Sequence, residues 1–449
     1  MRQQRMSLKE AYKRSHEPAA HAKALVDYSK FTENLCSAMK LDASKDVSKM
    51  PHFLFLLLLT GFCPLSAAVF IENFSHGRIL PVVCYFEKGQ AFRPTPMDYD
   101  VENVPGDLCS HVNLAYMELD DTTWTIKQDT TDMLERFAQL KRKFRRLKTL
   151  LSIGGWANQT KVISAMASMQ TRRTSFITNT VQLLIDGNFD GLDVFWLFPG
   201  NLVAGGSSSD KINFVSLLKE LCAAFKEHKL LLTAGVPLNQ SRMDAGYDIP
   251  EINKYLDWMN VIGYDLRGAW NGRTDTHSPL HPRGIDGPDV PELNVEQGLQ
   301  ALLDRGASKR KLVLGVAFYG RVYKLASPYN TGLHAPIDPL NRPQKGAFLM
   351  SDNIHAYFEV CQNVVFGQWE RGFDEEGMCP YATNEQDWVG YEDPQSIAQK
   401  VEFVRKEGYA GIMVMSCDKD DFIGVCGKQN ALLETIKNGL PRLRNNVII

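Results

Sequence analysis

The sequence predicts an α/β protein built as a (β/α)₈ TIM barrel, with a small α+β insertion between strands 7 and 8. Three observations carry this. Eight short β-branched or apolar runs recur along residues 80–418, amphipathic stretches separate several of them, and the chain of 449 residues is long enough for one large barrel. An open doubly wound sheet is the alternative reading of the same alternation.

The predicted strands are LPVVCYF (80–86), HVNLAYM (111–117), LKTLLSIGG (147–155), FDGLDVFWL (189–197), KLLLTAGVPL (229–238), WMNVIGYD (258–265), KLVLGVAFYG (311–320) and GIMVMSCD (411–418). Between the fifth strand and its predecessor, Phe214, Leu218, Leu221, Cys222 and Phe225 recur at helical spacing. A helix is predicted over NVEQGLQALLDRG (294–306), with Asn294 as its N-cap and Gly306 at its end. The barrel is expected to span 78–440. Its excess length falls at 322–392, a segment with Pro, Gly and aromatic residues that reads as the inserted lobe.

The N-terminus differs from the rest. Residues 1–49 are polar and mildly basic. Residues 50–68 hold the continuous apolar run Phe53 to Leu59 and then the small residues Ser66, Ala67 and Ala68, the shape of a secretory signal peptide. A membrane anchor extending to Ile71, with a basic cytoplasmic tail, is the competing account. Either account places the barrel outside the cell or in the secretory lumen. The triplets at Asn73, Asn158 and Asn239 are glycosylation sequons consistent with that route.

Formal net charge is −2, so no broad basic surface points to nucleic acid. No metal-ligand spacing and no phosphate loop appears, so no metal or cofactor is expected. Nine cysteines are present, two of them (Cys36 and Cys63) in or before the leader, which leaves an odd number in the barrel. Cys222 lies on the apolar face of a helix and reads as buried and free.

In a barrel the C-terminal ends of the strands build the site. Here those ends carry Tyr85, the Gly154-Gly155-Trp156 turn, Asp190 and Asp193, Tyr264 and Asp265, Trp270, and Tyr319 with Arg321. Aromatic faces beside carboxylates and an arginine suit a carbohydrate, whose rings stack through C–H faces while their hydroxyls need hydrogen bonds.

LLSIGGW, FDGLDVFWLFP, IGYDLRGAW, LGVAFYGR and the segment from Tyr391 to Gly427 resemble, strand by strand, the motifs of the family 18 glycoside hydrolases, the chitinases and their non-enzymatic relatives. The resemblance runs from about 80 to 437. It implies substrate-assisted hydrolysis. In that chemistry a Glu ending the fourth-strand motif protonates the leaving oxygen, and an Asp two residues earlier orients the substrate's N-acetyl group. Those two roles fall on Leu197 and Phe195, neither of which can move a proton. General acid catalysis alone is worth roughly 10²–10⁴-fold. The expectation is therefore no catalytic residue and no turnover, with Phe195 filling part of the sugar pocket.

The resemblance places Tyr85, Trp156, Tyr264, Asp265, Trp270, Tyr319, Arg321 and Met415 on glycan-lining positions. Met415 and Gly89 stand where the family has tryptophans, which predicts weak binding of chitooligosaccharides or another N-acetylglucosamine-containing glycan. Asp190 and Asp193 are expected in buried hydrogen-bonding roles, Asp193 with Ser152 or a backbone N–H, and Tyr264 and Asp265 in the same network. The resemblance also implies disulfides Cys84–Cys109 and Cys361–Cys426. Cys379 and Cys417 have no counterpart in the family and are a candidate pair near the barrel mouth. Degenerate motifs of this kind are similar to those of imaginal disc growth factors and chitinase-like lectins, which implies an extracellular role in growth, tissue remodelling or matrix organisation. Two alternatives stay open: residual or altered glycoside hydrolase activity, and a vestigial cleft whose outer surface binds a protein partner such as a cell-surface or matrix protein.

Overall fold

The computed structural model describes residues 80–127, 132–155, 159–287, 293–367 and 369–440. The expected polar extension at 1–49, the expected leader at 50–68 and the sequons at Asn73 and Asn158 lie outside these residues. Eight parallel strands close into a barrel: β1 (Val82–Glu87), β2 (His111–Met117), β3 (Lys148–Gly154), β4 (Gly191–Phe195), β5 (Leu231–Pro237), β6 (Trp258–Ile262), β7 (Leu312–Ala317) and, after the lobe, β13 (Gly411–Met415), which pairs with both β7 and β1. The open-sheet alternative is excluded by that closure.

Side chains alternate in and out along each strand. On β4 and the residue that follows it, Leu192, Val194 and Trp196 point outward into the layer of helices, and Asp193 and Phe195 point into the barrel. Helix α1 (Met133–Lys143) supplies Phe137 to the outer layer. After α2 (Thr160–Ala167) and α3 (Gln170–Asp186), helix α4 (Asp210–His228) buries Phe214, Leu217, Leu218, Leu221 and Phe225. Burying each such side chain contributes roughly 1.5–3 kcal/mol. Cys222, also on α4, is half-buried and free.

After the short α5 (Gln240–Gly246) and α6 (Ile249–Tyr255), helix α7 (Val295–Asp304) starts at Asn294, whose Oδ1 accepts from the Gln297 N–H at 2.9 Å. Gly306 follows the helix at φ +94°, a conformation open to glycine. Gly191 opens β4 where a Cβ would lie 2.2 Å from the Leu231 carbonyl oxygen, so only glycine fits.

Between β7 and β13 the chain leaves the barrel and forms a five-stranded antiparallel sheet. Its strands are β8 (Tyr319–Lys324), β9 (Ile354–Ala356), β10 (Glu370–Asp374), β11 (Cys379–Asn384) and β12 (Asp387–Gly390), in the order β10-β11-β12-β8-β9, with α8 (Tyr357–Phe366) beside β9. Helix α9 (Pro394–Glu407) then returns the chain to the barrel. Asp393 caps it by accepting from the N–H groups of Gln395 and Ser396, Pro394 opens it, and Gly408 at φ +76° ends it. Helix α10 (Ala431–Gly439) closes the described chain.

Disulfides join Cys84 to Cys109 and Cys361 to Cys426. Cys379 and Cys417 do not pair, contrary to expectation. The Cys379 sulfur faces the Ser278 carbonyl oxygen at 3.2 Å, the Cys417 sulfur faces the Tyr85 carbonyl oxygen at 3.1 Å, and both thiols are buried and free.

Candidate functional site

The C-terminal ends of the barrel strands surround a cleft of about 610 Å³, within the range usual for small-molecule and saccharide sites. Phe195, Leu197, Tyr264, Asp265, Trp270, Tyr319, Arg321 and Met415 all line it. Six of the eight positions read as glycan-lining therefore meet in one cavity, and the two apolar replacements lie among them. Trp156 falls outside the described residues.

The deepest layer sits below the cleft. Asp193 is fully buried. Its Oδ2 accepts from the Tyr85 hydroxyl and the Ser152 hydroxyl, each at 2.6 Å, and its Oδ1 accepts from Thr233 Oγ1 at 2.7 Å and Asn260 Nδ2 at 2.9 Å. Strand register puts Ser152 and Thr233 directly beside Asp193 on the neighbouring strands. Burial pushes the Asp193 carboxyl up, and the four donors only partly oppose it. Ser152 was the expected partner. Tyr264 and Asp265 were expected in this network too, and they are elsewhere.

Tyr85 is 0% exposed. Its ring lies under Phe195, with centroids 5.4 Å apart, and its hydroxyl is spent on Asp193. It belongs to the support of the floor and not to the cleft surface. The cause is its layer: Tyr85 and Phe195 both point inward, and the Phe195 ring covers it. Asp190 lies just before β4, at the opposite end of the barrel from the cleft. There its Oδ2 accepts from the Thr149 N–H at 2.8 Å and pairs with Lys141 Nζ at 2.8 Å.

Phe195, 2% exposed, also meets the Tyr116 ring, centroids 5.5 Å apart. A Cβ on Gly235 would come within 2.7 Å of it, so this glycine makes room for the aromatic ring. The glycine pair of β3 closes over the same position: the Gly155 N–H donates to the Phe195 carbonyl oxygen at 2.9 Å. Leu197, half-buried, follows on the cleft wall, where its carbonyl oxygen accepts from the Thr160 hydroxyl. Met415, 5% exposed, forms the neighbouring floor, and its sulfur lies 3.7 Å from the Tyr116 hydroxyl.

Two carboxylates reach the cleft. Asp265 is gripped by Arg321, whose Nε donates to Oδ1 at 2.7 Å and whose Nη2 donates to Oδ2 at 2.5 Å, and by the Tyr319 hydroxyl at 2.8 Å. Burial pushes its carboxyl up, but His277 and Arg321 outweigh that and hold it well below the usual range. Asp265 itself adopts φ +54°. The second carboxylate, Glu87, pairs with Lys419 Nζ at 2.7 Å. Lys419 also donates to Ser416 Oγ at 2.7 Å and lies beside Asp418, which Arg93 holds from the other side. The sequence motifs give neither Glu87 nor Lys419 a role; Lys419 is 332 residues away and reaches Glu87 only through closure of β13 onto β1.

The Tyr264 hydroxyl, buried in the cleft wall, has no hydrogen-bond partner among the described residues. Trp270 stands on the rim, 62% exposed, with the Arg321 guanidinium 5.4 Å from its ring centroid. Asn239, the described sequon residue, also lines the cleft.

Sequence reading also missed a buried ionic cluster outside the cleft, in the loop after β6. Arg267 and Arg283 there neutralise Asp275 and Asp286, Arg283 reaches Asp374 of the lobe, and His334 approaches Asp275 at 3.1 Å. Asp275, Asp286 and His334 converge closely enough to suggest a metal site, but two guanidiniums already occupy their carboxylates. A second grouping, Cys361, Cys426 and Asp421, is disarmed by the disulfide.

The sequence profile of the glycosyl hydrolases family 18 matches residues 81–420. An endochitinase of Manduca sexta is 35% identical over 393 residues, covering 84% of this chain and 70% of that protein. Chitotriosidase-1 of Mus musculus is 32% identical over 375 residues, covering 81% of this chain and 79% of that protein. Among solved structures, human YKL-39, described as a pseudo-chitinase with retained chitooligosaccharide binding properties, superposes with a TM-score of 0.75 at 30% identity, covering 80% of this chain and 99% of that one. A closed barrel, an antiparallel lobe between its last two strands and a profile match spanning both lead to one conclusion: the chain belongs to glycosyl hydrolase family 18.

Proposed function

We propose that this chain is a secreted, catalytically inactive member of the family that binds chitooligosaccharides or related N-acetylglucosamine glycans, acting as a lectin or extracellular growth or remodelling factor. One observation carries the reading: the cleft has Phe195 and Leu197 where the chemistry needs an orienting carboxylate and a proton donor, and its two carboxylates, Glu87 and Asp265, are each ion-paired. The surviving features favour binding. The Tyr264 hydroxyl, without a partner among the described residues, is a donor that suits an acceptor such as an amide carbonyl, and burying it unpaired costs about 1–3 kcal/mol. Trp270 offers an exposed face at the rim. YKL-39, with its retained chitooligosaccharide binding, is a relative of similar fold. The apolar Met415 floor, without an aromatic plane, keeps the affinity weak.

The test is a turnover assay on the purified protein with chitooligosaccharides, beside calorimetry with tetra-N-acetylchitotetraose. Heat of binding with no cleavage at any pH from acidic to neutral is expected. Cleavage abolished by Glu87→Gln or Asp265→Asn would establish the competing reading, an altered hydrolase. The double variant Phe195→Asp with Leu197→Glu reports on the rest of the cleft, since activity gained there shows that only the two carboxylates were missing.

A further inference from the structure

Asn239 holds an unusual position for a sequon. It directly follows Pro237 and Leu238 at the end of β5 and lines the cleft with them. It is also the N-cap of α5, its Oδ1 accepting from the Arg242 N–H at 3.0 Å. That bond fixes which way the amide faces, because only the oxygen can accept. Its Nδ2, the atom that carries a glycan, is left without a partner among the described residues. Gln240 and the exposed Ser241 complete the triplet.

We propose that Asn239 carries an N-linked glycan whose first two sugars occupy the chain's own cleft. The inference rests on the reading of this cleft as an N-acetylglucosamine site. The linkage core of an N-glycan is two β-1,4-joined N-acetylglucosamines, the same disaccharide unit as chitin. Attached at Asn239, that unit starts at the cleft wall, with no linker to span. In the transfer, the Asn239 Nδ2–C1 bond forms as the C1–oxygen bond to a lipid-linked diphosphate oligosaccharide breaks. The amide proton leaves with the diphosphate, and the step belongs to the oligosaccharyltransferase of the secretory route. Without an acid at 195 or 197 the cleft has no means of cutting the glycan it holds.

A ligand tethered this closely competes at an effective concentration on the order of mM, so a free oligomer of ~0.1 mM affinity loses about tenfold in apparent affinity. The experiment compares the full chain and Ser241→Ala, both from a glycosylating secretory host, by glycopeptide mass spectrometry and by calorimetry with tetra-N-acetylchitotetraose. Ser241→Ala abolishes the sequon, keeps the Asn239 cap, and leaves the triplets at Asn73 and Asn158 intact. The expected result is a hexosamine-bearing peptide at Asn239 in the parent and about tenfold tighter binding in Ser241→Ala. A parent with bare Asn239, or a glycosylated parent that binds as tightly as Ser241→Ala, overturns this inference and leaves the glycan-binding reading standing. No binding by Ser241→Ala overturns both.

Discussion

The Phe195 ring meets Tyr85 edge-on, with centroids 5.4 Å apart and planes at 65°, and so seals the polar interior of the barrel from the cleft. Below the contact the Tyr85 hydroxyl serves Asp193; above it the cleft floor is apolar. Phe195→Ala removes the seal and leaves a void among Tyr85, Tyr116 and the space over Gly235. A loss of about 3 kcal/mol in stability is expected, read as a lowered urea midpoint with an unchanged slope. An unchanged midpoint would mean that the ring contributes nothing to the fold.

Asp193 is expected to matter for stability and not for chemistry. Four side chains from four strands converge on it. Asp193→Ala strands the Asn260 amide and three hydroxyls in a space closed to solvent, and the cost is about 3 kcal/mol. Urea unfolding followed by circular dichroism measures it. A loss below about 1 kcal/mol would show that the hydroxyls re-pair among themselves.

The same layer marks the boundary of what the sequence made legible. The resemblance of the motif around Asp190 and Asp193 singles out Phe195 and Leu197, and both line the cleft, because a motif and its alternation are local to one stretch of chain. The depth of a residue is not local. Tyr85 read as cleft-lining since it ends β1, yet its exposure depends on the ring that β4 lays over it. Lys419 could not be tied to Glu87 for the same reason: their 2.7 Å contact exists only once the first and last strands meet. Cys379 and Cys417 are similar, since their thiols face Ser278 and Tyr85, partners set by the lobe and the barrel separately. The cluster around Arg267 and Arg283 went unread because its charges are scattered along an irregular loop with no periodicity.

Met415 supplies a functional prediction. It is 5% exposed on the cleft floor beside the Tyr116 hydroxyl and presents no flat face to a sugar ring. Met415→Trp adds a stacking surface at that point, worth about 1 kcal/mol, or roughly fivefold tighter binding of tetra-N-acetylchitotetraose. Calorimetry on Met415→Trp in the Ser241→Ala background keeps the cleft clear for the comparison. Unchanged or weaker binding would place the ligand away from the Met415 floor.

His111 sets a pH dependence at the other end of the barrel. It begins β2, where its ring lies against Trp258, centroids 4.9 Å apart, and its Nδ1 is 2.8 Å from the Ser110 hydroxyl. Burial, with Lys148 adding to it, pushes its pKa from 6.5 down to about 4. As pH falls through 6.5 the unfolded chain takes up a proton that the folded chain refuses. Stability therefore falls from about pH 6.5 to about pH 4 and levels off below, once both states are protonated. At about 1.4 kcal/mol per pKa unit the full effect is on the order of 3 kcal/mol. His111→Gln has no such proton to take up, so the stability difference between parent and variant must shift in the variant's favour as pH drops across that window. Urea midpoints of both proteins at neutral pH and near pH 4 give the comparison. A difference that stays constant with pH would show that the His111 ring is protonated as readily in the folded protein as in the unfolded chain.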